Sequence, residues 1–129
     1  MKSALVTLFI TVVMPMPGLA ATLTSGLLLV DGSSGEKLTC TLVNAGTKPL
    51  IGEPAGQNIS VQIVDENGND ISFGTSCGTV LAPGVACSTG SGPGTAFGYC
   101  KVTFAGSKKS ARASLSRQGV GFLVTIPVQ

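Results

Sequence analysis

Histidine and tryptophan are absent from this chain of 129 residues, and tyrosine occurs once, at Tyr99. The missing imidazole excludes most. Ser-His-Asp and Cys-His catalysis need a base that titrates near neutrality, and no other unperturbed side chain supplies one. Charge is scarce too: Asp, Glu, Lys and Arg together make 11% of the residues. The six acids are Asp31, Glu36, Glu53, Asp65, Glu66 and Asp70. They fall mostly in turn-like sequence, which leaves little for the two carboxylates facing one cleft that glycoside hydrolysis requires. Beyond residue 20, seven bases (Lys37, Lys48, Lys101, Lys108, Lys109, Arg112, Arg117) oppose them. So even a balance carries no electrostatic footprint for nucleic acid or anionic lipid.

The longest apolar run, Ala4 to Met14, is well short of the ~20 residues a membrane-crossing helix needs. It follows the basic Lys2 and precedes Pro15, Pro17 and the small-residue sequence Gly18-Leu19-Ala20. A charged start, an apolar middle and small residues before a cut are the order of a cleaved signal peptide. Residues 1–20 are therefore expected to be a leader and residues 21–129 one domain, with a secreted or periplasmic destination and no membrane span in the mature form. A domain of that size buries only a modest core, so covalent cross-links would matter.

All four cysteines, Cys40, Cys77, Cys87 and Cys100, lie after the expected cut. An even number in an exported chain favours disulfides. Zinc would require cysteines paired at two- to four-residue spacing or histidine partners, and neither is present.

Past the leader no segment holds apolar residues at helical spacing. Alternation with the period of half-buried strands recurs instead. It runs through Lys37–Asn44 (Leu38, Cys40, Leu42), Asn58–Asp65 (Ile59, Val61, Ile63), Cys100–Phe104 and Lys109–Ser116 (Ala111, Ala113, Leu115). Shorter strands are expected at Gly26–Val30, Ile71–Gly74, Val85–Ser88 and Phe122–Ile126. Asn67-Gly68 lies between two such runs and suits a tight hairpin whose turn needs positive φ. Residues 45–58 and 88–98, rich in Pro and Gly, read as long loops. The expected fold is all-β, a single β-sandwich with Greek-key or immunoglobulin-like wiring.

Strand phase suggests the cystines. Cys40 shares a face with Leu38 and Leu42, and Cys100 with Val102 and Phe104, so both sulfurs point to where two sheets meet. That favours Cys40–Cys100, leaving Cys77–Cys87 across a stretch that Pro83-Gly84 can reverse. Four cysteines also allow two other pairings.

The stretch Thr79-Val80-Leu81-Ala82-Pro83-Gly84-Val85-Ala86-Cys87-Ser88 resembles the Leu-Ala-Pro-Gly turn and outgoing strand of bacterial exported immunoglobulin-like β-sandwich proteins. The likeness covers residues 40–110 and implies a fold, with no functional residue attached. The core tryptophan of antibody-type domains is missing, and Tyr99 directly precedes Cys100 where the antibody pattern sets it two positions before.

The remaining motifs have simpler readings. Ser34-Gly35-Glu36-Lys37 matches S-x-x-K but lacks the partner motifs and helical setting of penicillin-recognising enzymes. Asp65, Glu66, Asn67, Asn69 and Asp70 could offer oxygens to calcium, yet the EF-hand spacing fails because Gly68 is fourth and Ser76 twelfth. Gly90-Ser91-Gly92-Pro93-Gly94-Thr95 has a phosphate loop's composition without its G-K-[ST] ending. Lys108, Lys109, Arg112 and Arg117 form a basic stripe suited to solvent, an anionic glycan or a protein. Asn58-Ile59-Ser60 is a formal glycosylation triplet that also fits the start of a strand.

The tail Val120, Phe122, Val124, Ile126, Val128 must be buried somewhere. It either pairs with Lys109–Ser116 or adds to a neighbour's sheet. The sum is a non-enzymatic exported module of binding, adhesion or envelope structure, without cofactor or metal, whose partner is a protein or glycan. The alternatives are a small hydrolase using Asp65 and Asp70, or a self-assembling surface subunit.

Overall fold

The computed structural model describes residues 20–29, 35–92, 97–119 and 122–128. In chain order the strands are β1 (Ala20–Thr24), β2 (Leu28–Leu29), β3 (Lys37–Asn44), β4 (Leu50–Ile51), β5 (Ser60–Val64), β6 (Ser72–Thr75), β7 (Val80–Leu81), β8 (Ala86–Ser91), β9 (Phe97–Ala105), β10 (Ala111–Gly119) and β11 (Phe122–Val128). Among the described residues a 3-10 turn, Lys108–Ser110, lies between β9 and β10. They form two antiparallel sheets packed face to face, as the alternation requires.

In one sheet β9 is central. Both its edges are occupied at Val102, which faces Leu23 of β1 and Val61 of β5. On the β1 side, β2 continues the pairing with Leu29 opposite Phe97. On the β5 side, β4 joins at Ala105 and carries β7 beyond it. The other sheet runs β11-β10-β3-β8-β6. Leu38, Cys40 and Leu42 of β3 meet Cys100, Val102 and Phe104 of β9 across the gap, all fully enclosed. Gly98 lies where β9 presses on that core. A Cβ there would stand 2.7 Å from Leu38 Cδ1 and 2.9 Å from Ile63 Cγ2, closer than carbon atoms approach.

Both expected cystines are present. Cys40–Cys100 joins β3 to β9 across the two sheets, with Cα atoms 5.5 Å apart. Cys77–Cys87 ties the chain leaving β6 to β8, with Cα atoms 5.0 Å apart. Pro83-Gly84 forms the reversing turn: Val85 N–H donates to Ala82 C=O at 3.1 Å and Gly84 takes φ 77°. That is the type II geometry in which glycine avoids the Cβ penalty.

Several expectations are adjusted. The hairpin at Asp65–Asn69 is not a two-residue turn with positive φ at both Asn67 and Gly68; only Gly68 has positive φ, and Asp65 and Asn69 close the loop. Residues 88–98 are not a loop throughout, because β8 continues to Ser91 and β9 begins at Phe97. The inward positions of β8 are Cys87, Thr89 and Ser91, so hydroxyls stand where the pattern sought hydrocarbons. Ser91 Oγ accepts from Leu38 N–H, and Thr89 Oγ1 donates to Gly74 C=O.

Lys108 and Lys109 lie in the 3-10 turn and not on the strand itself. β1 was unforeseen, although Ala21 and Leu23 alternate inward with Thr22 and Thr24. The tail pairs with β10 in the same domain, Ser116 opposite Thr125. Of the expected leader, residues 1–19 lie outside the described residues.

Candidate contact surface and the predicted sites

The carboxylates proposed for chemistry are occupied by the hairpin that carries them. Asp65 Oδ1 accepts from the N–H groups of Asn67 (2.9 Å) and Asn69 (2.8 Å). Hydrogen bonding, led by the Asn69 amide, holds its carboxyl below the usual range. Partial burial pushes Asp70 upward, but the hydroxyl and amide of Ser72 and the amide of Gln62 outweigh it and leave the carboxyl lowered. A glycosidase acid needs the opposite shift so that it keeps a proton at neutral pH. Among the described residues no three metal-ligating side chains gather to hold an ion. The hairpin acids act as turn-forming acceptors.

Ser34 and residues 93–96 lie outside the described residues, while Lys37 opens β3 with its side chain exposed. Asn58 is exposed at the lip of a shallow groove of ≈ 380 Å³, with Gln57, Ser60 and Thr75 beside it. Those side chains are neutral amides and hydroxyls, and Thr75 Oγ1 already accepts from Cys77 N–H at 3.1 Å. The groove offers hydrogen bonds and no acid, base or nucleophile pair.

The basic stripe divides. Lys108, Lys109 and Arg112 sit at the end of the sandwich where β3 finishes, and Ala45 N–H reaches Ser110 C=O there. Arg112 Nη1 folds back onto the carbonyls of Lys109 and Ala111. Arg117 lies toward the opposite end, opposite Leu38 in register, and its Nη1 donates to Leu29 C=O at 2.9 Å. That bond ties β10 of one sheet to β2 of the other.

The most distinctive surface was not among the sequence candidates. The outward positions of a solvent-facing sheet are normally polar, yet β9 presents Phe97 (39% exposed) and half-buried Tyr99 on its outer face. Leu29, 52% exposed, stands directly opposite Phe97, and Leu27 beside it is 56% exposed. The signal was available as Leu27-Leu28-Leu29, three consecutive apolar residues of which one strand face can bury only every second. A second outward pair, Ile51 and Val80, joins β4 to β7. Phe73 is 79% exposed on edge strand β6.

The two disulfides fit an oxidising compartment, and no helix among the described residues is long and apolar enough to cross a membrane. No family model, curated protein or solved structure matches the chain.

Proposed function

We propose that the mature chain is an exported, non-enzymatic binding module, secreted or periplasmic, working by surface contact with another protein. The observation that carries this reading is the apolar and aromatic strip Leu27, Leu29, Phe97 and Tyr99 on the outer face of β2 and β9. Aromatic residues are enriched at the centres of protein interfaces, where they bury large area at little conformational cost. The occupied hairpin carboxylates and the absent imidazole favour contact over turnover.

The test uses the double variant Leu29→Thr/Phe97→Thr, which keeps β-forming side chains on an outward face. Chemical cross-linking in the native host should capture a partner with the parent chain and lose it with the variant, at equal secreted level and unchanged circular dichroism. Capture that survives the double substitution, or substrate turnover by the purified chain, defeats the reading.

A further inference from the structure

After β9 the chain does not pair with its own predecessor but crosses to the other sheet, where β10 settles between β3 and β11. The vacated edge of β9 is filled by the start of the described chain. β1 covers Lys101–Ala105 and β2 covers Phe97–Gly98. Between them Ser25 bridges the irregularity, its N–H donating to Cys100 C=O and its Oγ accepting from Cys100 N–H, at 2.9 and 2.8 Å. Residues 20–29 thus act as one bulged strand along the whole of β9, burying Ala21 and Leu23 in the common core.

Three features of this strand bear on where it can seat. Neither cystine includes it: one joins β3 to β9 and the other joins the β6 end to β8. The body that receives it is therefore covalently closed without it. Its pairing is also non-local, with Thr22 and Thr103 opposed across 81 positions, whereas the other terminal strand, β11, forms a hairpin with adjacent β10. Finally, every contact that residues 20–29 make with β9 is available unchanged from another copy, because the edge of β9 does not distinguish its own strand from an identical one.

We propose that residues 21–29 exchange between copies, each mature chain seating this strand on β9 of a second copy by strand addition. Reciprocal exchange closes a dimer, and one-way exchange extends a chain of subunits. This goes beyond the binding surface above and does not depend on it, since β2 brings Leu27 and Leu29 to the same face in either arrangement.

Thr22 and Thr103 face each other with hydroxyl oxygens 3.5 Å apart, so Thr22→Cys/Thr103→Cys reports whose strand occupies the edge. Light and heavy-isotope-labelled mature chains, residues 21–129, are unfolded together with native disulfides intact, refolded at high concentration, mildly oxidised and fractionated by mass. Exchange predicts an oligomer fraction that grows with concentration and carries mixed-isotope peptides, cross-linked between the two substituted positions, at the statistical share. Monomer at every concentration, or oligomers whose cross-links are all of one isotope, overturns it. Thr24→Cys/Lys101→Cys, the next facing pair outward, repeats the test if the first variant folds poorly, and light scattering of the unsubstituted chain checks that oligomers form without added thiols.

Discussion

Asn44 is the last residue of β3 and is fully buried. Its Nδ2 donates to the carbonyls of Lys48 (2.8 Å) and Leu81 (2.9 Å), and its Oδ1 accepts from Gly46 N–H (3.0 Å). Its backbone bonds Val85 C=O and Gly84 N–H, so one residue clips the turn after β3 to the Pro83-Gly84 turn. Asn44→Ala removes all three side-chain bonds. The Leu81 carbonyl is then left buried without its partner, at a cost of ~1–3 kcal/mol, and the two half-exposed groups lose ~0.5–1.5 kcal/mol each because water reaches them. The expected loss is about 2–6 kcal/mol, a large part of the ~5–15 kcal/mol that holds a small domain together.

In urea, with a slope of ~1–3 kcal/mol/M, the unfolding midpoint followed by far-ultraviolet circular dichroism should fall by on the order of 2 M without a change of slope. Asn44→Asp keeps the acceptor for Gly46 but turns a negative oxygen toward two carbonyls, so it should be at least as damaging as alanine at neutral pH. A midpoint for Asn44→Ala indistinguishable from the parent, or Asn44→Asp more stable than Asn44→Ala, would refute the assignment.

Three other perturbations have worked directions. Cys77→Ala/Cys87→Ala opens a short loop worth about 3 kcal/mol in the chain-entropy model, or about 15 °C in Tm by calorimetry for a domain of this size. Cys40→Ala/Cys100→Ala opens a loop worth about 4 kcal/mol and also empties fully enclosed positions in the core, so it should cost more; the reverse order would contradict the inter-sheet role. The lowered carboxyls of Asp65 and Asp70 contribute stability that is present above the ordinary carboxylate range and lost as pH falls through their folded values. Denaturant midpoints should hold from pH 7 to 5 and fall below about pH 4, with a shallower fall in Asp65→Asn; an equally steep fall there would remove Asp65 as a contributor.

What could be read from the sequence followed hydrophobic phase. Lys37–Asn44 alternates without interruption and is β3 to the residue, and the inward phase of Cys40 and Cys100 led to the cystine because only inward sulfurs can meet between sheets. Phase failed where the core accepts something other than hydrocarbon: Thr89 and Ser91 point inward on hydrogen bonds to Gly74 and Leu38, so the expected strand at Val85–Ser88 stops short and the second half of β8 reads as loop. It also failed where strands are too short to show a period, as in β4 and β7 with two residues each. β1 had the period but offers only Leu23 as a large apolar residue, and its partner β9 lies 81 positions away where Thr22 faces Thr103, a distance over which local pattern carries no information. The contact strip escaped notice because outward apolar residues look like core until the fold says which face is which.

The Cys40–Cys100 bond also decides how the molecule would respond to tension. Pulled from its two ends, the chain could release only the stretches before Cys40 and after Cys100, while the 60-position span between the sulfurs, roughly 200 Å of extended polypeptide, would stay folded back until the bond itself were reduced. Under such a load the chain would then lengthen by a bounded amount and stop.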